Sequence, residues 1–200
     1  MRRIRKQANA FTLVELLVVI GIIAILMGLL FAGGRAVQQQ AKRTQAKNDL
    51  AQIVTAINAF YTEYGRYPTA ATSDAAASYG PGGLTNDSVF NALRGLDPVL
   101  NPRQIVFISP PYVKVPATPI SGIGIAGTGA PTPVGQYWDP WGTPYAIEVD
   151  GNYNNQIDIN PYANNAGPTP LQAGVIAWSW GSDHLKGSDL ALCDDVISWQ

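Results

Sequence analysis

Residues 11–32 read FTLVELLVVIGIIAILMGLLFA, an apolar run of about one bilayer crossing. Its single charge, Glu15, stands near its start. No other feature of the 200-residue chain limits its fold so strongly. A carboxylate in a hydrocarbon segment costs at least ~2.5 kcal/mol, so Glu15 is expected to have a use.

The flanks sharpen that expectation. The leader MRRIRKQANA carries Arg2, Arg3, Arg5 and Lys6, the n-region of a secretory signal, and the positive-inside rule keeps it cytoplasmic. An ordinary signal core runs 7–15 residues and ends at a small-residue cleavage site. Here the run is longer and continues into a helical pattern. Arg35, Lys42, Arg43 and Lys47 beyond it weaken the charge argument for orientation, but the leader charges are denser. The net charge of −1 hides +7 over residues 1–47 and −8 over residues 48–200. A basic membrane-proximal part with an acidic body makes a poor nucleic-acid binder, so no nucleic acid is expected as a partner. The lone Cys193 excludes an internal disulfide and a multi-cysteine metal cluster.

Ala10 followed by Phe11-Thr12-Leu13-Val14-Glu15 resembles the processing and methylation site of type IV pilin-like proteins. The resemblance implies a prepilin peptidase that cuts between Ala10 and Phe11 and methylates the new amine of Phe11. The family usually has Gly where Ala10 stands. The resemblance further implies assembly through Thr12 and Glu15. Glu15, fifth in the mature chain, meets the α-amine of Phe11 on the next subunit of a filament. An unpaired carboxylate is costly in a dry helix core, so the pairing rewards correct register.

Leu50, Ile53, Val54, Ile57, Phe60, Tyr61 and Tyr64 recur at helical spacing, and Gly65 and Pro68 stop the pattern. One helix from about Thr12 to Tyr64 would run about 80 Å, with Gly33-Gly34 as a weak point. A short helix over 88–96 capped by Ser88, a strand over 105–108 and a long loop over 116–136 follow. Asp139-Pro-Trp141-Gly-Thr-Pro-Tyr145 is a turn into a strand ending at Val149, and residues 174–180 form a second strand. The expected fold is α+β and pilin-like, a long N-terminal helix on a small antiparallel sheet with one buried face. The turn string and the C-terminal aspartates resemble the major pseudopilins of type II secretion.

Two acidic loops are candidate Ca²⁺ sites, since Ca²⁺ takes six to eight oxygen ligands. In the resembling pseudopilins the closing loop holds one structural Ca²⁺, which implies Asp183, Asp189, Asp194 and Asp195 here. A few extra residues after Gly187 leave the roles of Ser188 and Asp189 open, and a solvated acidic loop is the alternative. The second loop places Asp150, Asn152, Asn154 and Asp158 at EF-hand-like positions 1, 3, 5 and 9. Pro161 stands where the bidentate Glu belongs, so an Asx-rich turn competes with metal binding. No phosphate loop, nucleophile elbow or metalloprotease pair is present, and His184 is the only histidine, so no enzyme is expected.

The sequence thus predicts a cytoplasmic leader over 1–10, a transmembrane polymerisation segment over 11–34 and a periplasmic head over 35–200. The expected role is a self-assembling pseudopilus subunit of the bacterial inner membrane. The resemblance implies as its partners minor pseudopilins, the prepilin peptidase, an assembly platform with its ATPase, and lipid before assembly. The alternatives are a type IV pilus pilin and a monomeric signal-anchored periplasmic binding protein.

Overall fold

A computed structural model describes residues 11–162 and 164–200, with the side chains of 29–35 outside the description. The chain divides after Ala41 into two units. Helix α1 (Leu13–Tyr64) belongs to both and remains helical through Gly33 and Gly34. In the first unit the described apolar side chains are all exposed, from Leu13 at 79% to Val19 and Ile23 at 48%. A helix that is apolar all round and unpacked in its own chain needs lipid or other helices around it. Among the described residues no helix is long and apolar enough to cross a membrane.

In the second unit α1 becomes amphipathic. Leu50, Ile53, Ile57 and Phe60 are fully buried, Val54 and Tyr64 partly, and Tyr61 lies outside at 38%. Gly65 ends the helix in the left-handed region (φ +66°), its N–H donating to the Tyr61 carbonyl at 2.7 Å, a backbone conformation that glycine adopts without a Cβ penalty. The buried stripe packs on a four-stranded antiparallel sheet. Its strands are β1 (Ser78–Tyr79), β4 (Ala146–Val149), β5 (Val175–Ser179) and β6 (Val196–Ile197), in the order β1-β4-β5-β6. Helix α2 (Asp87–Leu93) adds Phe90 and Leu93 to this core, and β2 (Gly122–Ile123) pairs β3 (Tyr137–Trp138) as a separate ribbon.

Three local expectations are corrected. Helix α2 starts earlier than predicted, behind Asn86 rather than Ser88. The Asn86 side chain gives no cap; it is fully buried and bonds the Tyr137 and Tyr145 backbones. Residues 105–108 are not a strand, because their donors find other acceptors. Ile105 N–H donates to the Asn101 side chain, and the Phe107 N–H to the Leu93 carbonyl. Thirdly, the sheet is buried on both faces. Ile147, Val149, Val175 and Ala177 face α1, while Ala146, Ile176, Trp178 and Ile197 face Ile157, Tyr162, Ala166 and Leu171. The β4–β5 connection folds back over the outer face and covers it.

Candidate functional site

The N-terminal motif begins outside the described residues, since Ala10 and the leader lie there. Thr12 and Glu15 are described, and they engage each other. The Glu15 Oε2 accepts the Thr12 N–H at 2.9 Å and the Thr12 hydroxyl at 2.8 Å, while Thr12 Oγ1 accepts the Glu15 N–H at 3.2 Å. This is a capping box, which satisfies orphan donors at a helix start and sets a carboxylate at the positive end of the helix dipole. Glu15 therefore has a use inside its own chain. Threonine three residues before glutamate, ahead of an apolar run, is a capping-box pattern; sequence reasoning directed only at the membrane charge misses it.

The closing loop joins β5 to β6 through a tight turn, Gly181–Asp183. Gly181 has φ +71°, and a Cβ there would lie 2.6 Å from the Asp194 carboxyl carbon, so only glycine admits the loop's return. Asp183, Asp194 and Asp195 each present a carboxylate oxygen, and the three atoms lie within 4.8 Å of one another. Ser182 donates its N–H and its hydroxyl to Asp194 Oδ2, each at 2.5 Å. Tyr162 donates its hydroxyl (2.6 Å) and Gly187 its N–H (2.9 Å) to Asp195 Oδ2. The Oδ1 atoms of both aspartates are buried without a hydrogen-bond partner. Burial pushes the Asp195 carboxyl above its ordinary range. Burial acts the same way on Asp194, but hydrogen bonds, the two from Ser182 foremost with backbone donors of Asp183 and Asp194 added, more than offset it and leave that carboxyl below. Two orphaned buried oxygens beside a third carboxylate match what a hard cation requires.

Asp189 stands outside that group. Its Oδ1 accepts the Asn165 side-chain amide at 2.7 Å and the Ala191 N–H at 2.9 Å, tying the loop to residues 164–165. His184, left-handed at φ +60°, shares a 2.7 Å hydrogen bond with Thr143 Oγ1 and anchors the turn.

The second acidic loop is an Asx turn with its oxygens engaged by amides. Asp150 accepts the N–H groups of Asn154 and Asn155, and Asp158 accepts the side-chain amides of Asn152 and Asn154. Asn155 is left-handed (φ +64°), and so is Tyr153 (φ +62°). Asp74, absent from the sequence prediction, holds the loop from outside by accepting the Gly151 and Asp158 N–H groups. It lies in an Ala/Ser-rich stretch whose pattern gives no sign of a buried acid.

Asp139 is a further missed residue, fully buried at the head of the Asp-Pro-Trp-Gly string. Its Oδ1 accepts the Trp141, Gly142 and Thr143 N–H groups at 2.8–2.9 Å, and Oδ2 accepts the Ser179 hydroxyl at 2.5 Å. It therefore fixes the turn before β4 to the end of β5, from which the closing loop departs.

Comparison with known proteins bears on the N-terminus. Residues 5–31 match the family described as Prokaryotic N-terminal methylation motif. No curated protein and no solved structure matches the chain. The match supports a type IV pilin-like prepilin, a pilus or pseudopilus subunit.

Proposed function

We propose that this protein is a structural subunit of a type II secretion pseudopilus, anchored in the inner membrane and assembled with copies of itself to drive protein export. The observation that carries the reading is the N-terminal element. A methylation motif over residues 5–31 overlaps the first part of helix α1, where the described apolar side chains before Ala41 are all exposed. Such a surface is at home in lipid before assembly and among identical helices afterwards. Glu15 exchanges its local Thr12 bonds for the α-amine of a neighbouring Phe11 when the filament forms. The head has no part in chemistry; it presents a stiff surface to the periplasm.

The pseudopilus rather than the pilus is favoured by the closing loop. Asp183, Asp194 and Asp195 would hold Ca²⁺, which would supply the positive charge that the buried oxygens of Asp194 and Asp195 lack and brace β5 against β6. The test is mass spectrometry of the mature N-terminus together with a Glu15→Leu variant. The reading expects an N-methylated Phe11 in the wild type, and in the variant normal membrane insertion with filament yield lost. An intact Met1, or filaments unaffected by Glu15→Leu, overturns it.

A further inference from the structure

The head is acidic, yet its helix begins with cations that its own acids do not neutralise. Arg43 and Lys47 lie one turn apart on α1, both exposed, on the rim of a cavity of about 160 Å³. Leu190, Val196 and Ile197 line it beside Asp195 and Gln200. Of the closing-loop carboxylates, Asp194 is bonded by Ser182, and Asp195, which lines the cavity, by Tyr162 and Gly187. Arg43 reaches only the Asp195 backbone carbonyl, at 3.5 Å, and no carboxylate pairs with Lys47 among the described residues. Several other cations of the head have partners within it, and Lys114, which is exposed, does not line this cavity. Arg66 bonds the Val99 and Leu100 carbonyls, Arg94 the Tyr112 hydroxyl and Arg103 the Glu63 carboxylate, and Lys186 lies over the Tyr162 ring.

We propose that the Arg43–Lys47 cavity is a docking site for a carboxylate-bearing surface of a second copy of this chain. Charge complementarity selects that occupant. Residues 48–200 carry −8, so each copy offers an excess of acids, and at this rim two neighbouring cations lie without a carboxylate partner among the described residues. Phospholipid phosphate is the competing anion, but the −8 of residues 48–200 repels the head from an anionic bilayer surface. The apolar floor excludes water around the paired charges and makes the contact stronger than an open surface pair.

This inference rests on the filament reading, and the experiment separates the two. The full chain is expressed with its processing and assembly machinery, and sheared filaments are quantified for the wild type, for Arg43→Gln/Lys47→Gln and for Arg43→Lys/Lys47→Arg. The charge-removing pair is expected to lower filament yield at least about tenfold, with the mature N-terminus and head melting temperature unchanged, while the charge-keeping pair retains assembly. Salt raised from about 50 to about 500 mM should weaken wild-type filaments. Wild-type yield from the charge-removing pair overturns the docking site, as does a fall in head melting temperature that accounts for the loss. Loss of co-purified anionic phospholipid with filament yield intact assigns the cavity to headgroups and also overturns it. Absence of filaments from the wild type instead refutes the filament reading.

Discussion

Glu15 looks, from hydropathy alone, like a charge without a partner, and the Thr12 bonds change its energetics. In the lone subunit the carboxylate is already satisfied by one backbone donor and one hydroxyl, so the cost of holding it near lipid is partly offset before any filament exists. Assembly must then exchange these bonds for the neighbour's amine rather than rescue a bare charge. Thr12→Val removes the hydroxyl and is expected to loosen the helix start by about 1 kcal/mol. The first intrahelical bond runs from the Leu16 N–H to the Thr12 carbonyl at 3.2 Å. Amide exchange at Leu16 in detergent-solubilised protein should therefore quicken by roughly fivefold in the variant. Unchanged exchange would mean that the box does not hold in the membrane-like state.

At the level of elements, the order and type of the main pieces could be read from residue pattern, and their fastening could not. The α1 stripe, its Gly65 stop, and strands β4 and β5 carry strong periodicity and clear punctuation. Strands β1 and β6 are two residues each and exist through their partners, so no period of two can reveal them. Residues 105–108 have strand-like composition, but the Asn101 and Leu93 acceptors take their donors first. For the candidate site, sequence supplies the aspartates but not the fold-back that separates Asp183, Asp194 and Asp195 from Asp189. Two predictions follow the fastening. Asp139→Ala strands three turn amides and the Ser179 hydroxyl, and should cost the head about 3–5 kcal/mol in urea unfolding. For the closing loop, EGTA should lower the head melting temperature by about 5–10 °C if Ca²⁺ is held at about 100 Kd. Asp194→Asn should abolish that response and Asp189→Asn should leave it; an EGTA-indifferent wild type removes the site.

Burial of both sheet faces has a consequence for the molecule as a whole. In Ala146-Ile-Glu-Val149 the alternation sends Ile147 and Val149 toward α1, so Glu148 belongs with Ala146 on the outer face. A solvated outer face would leave Glu148 ordinary. The β4–β5 connection covers it instead, to 8% exposure. Burial, then the Asp74 charge, push its carboxyl from 4.5 up to about 7, with Lys186 acting in the opposite direction and Asp158 in the same one. A raised carboxyl pKa means that folding favours the protonated form. The stabilisation is complete below about pH 4.5, the unfolded value, and is lost as pH rises through about 7. Glu148→Gln keeps the shape and cannot ionise. The wild type should therefore lose up to about 3 kcal/mol relative to Glu148→Gln between about pH 5 and pH 8. Burial also raises Asp49, Asp139 and Asp195, but these are common to both proteins and cancel in the difference. Melting curves of the two full-length proteins in EGTA across that range provide the check. A difference that stays flat would show that water or Lys186 reaches Glu148, and that the outer face of the sheet is open in solution.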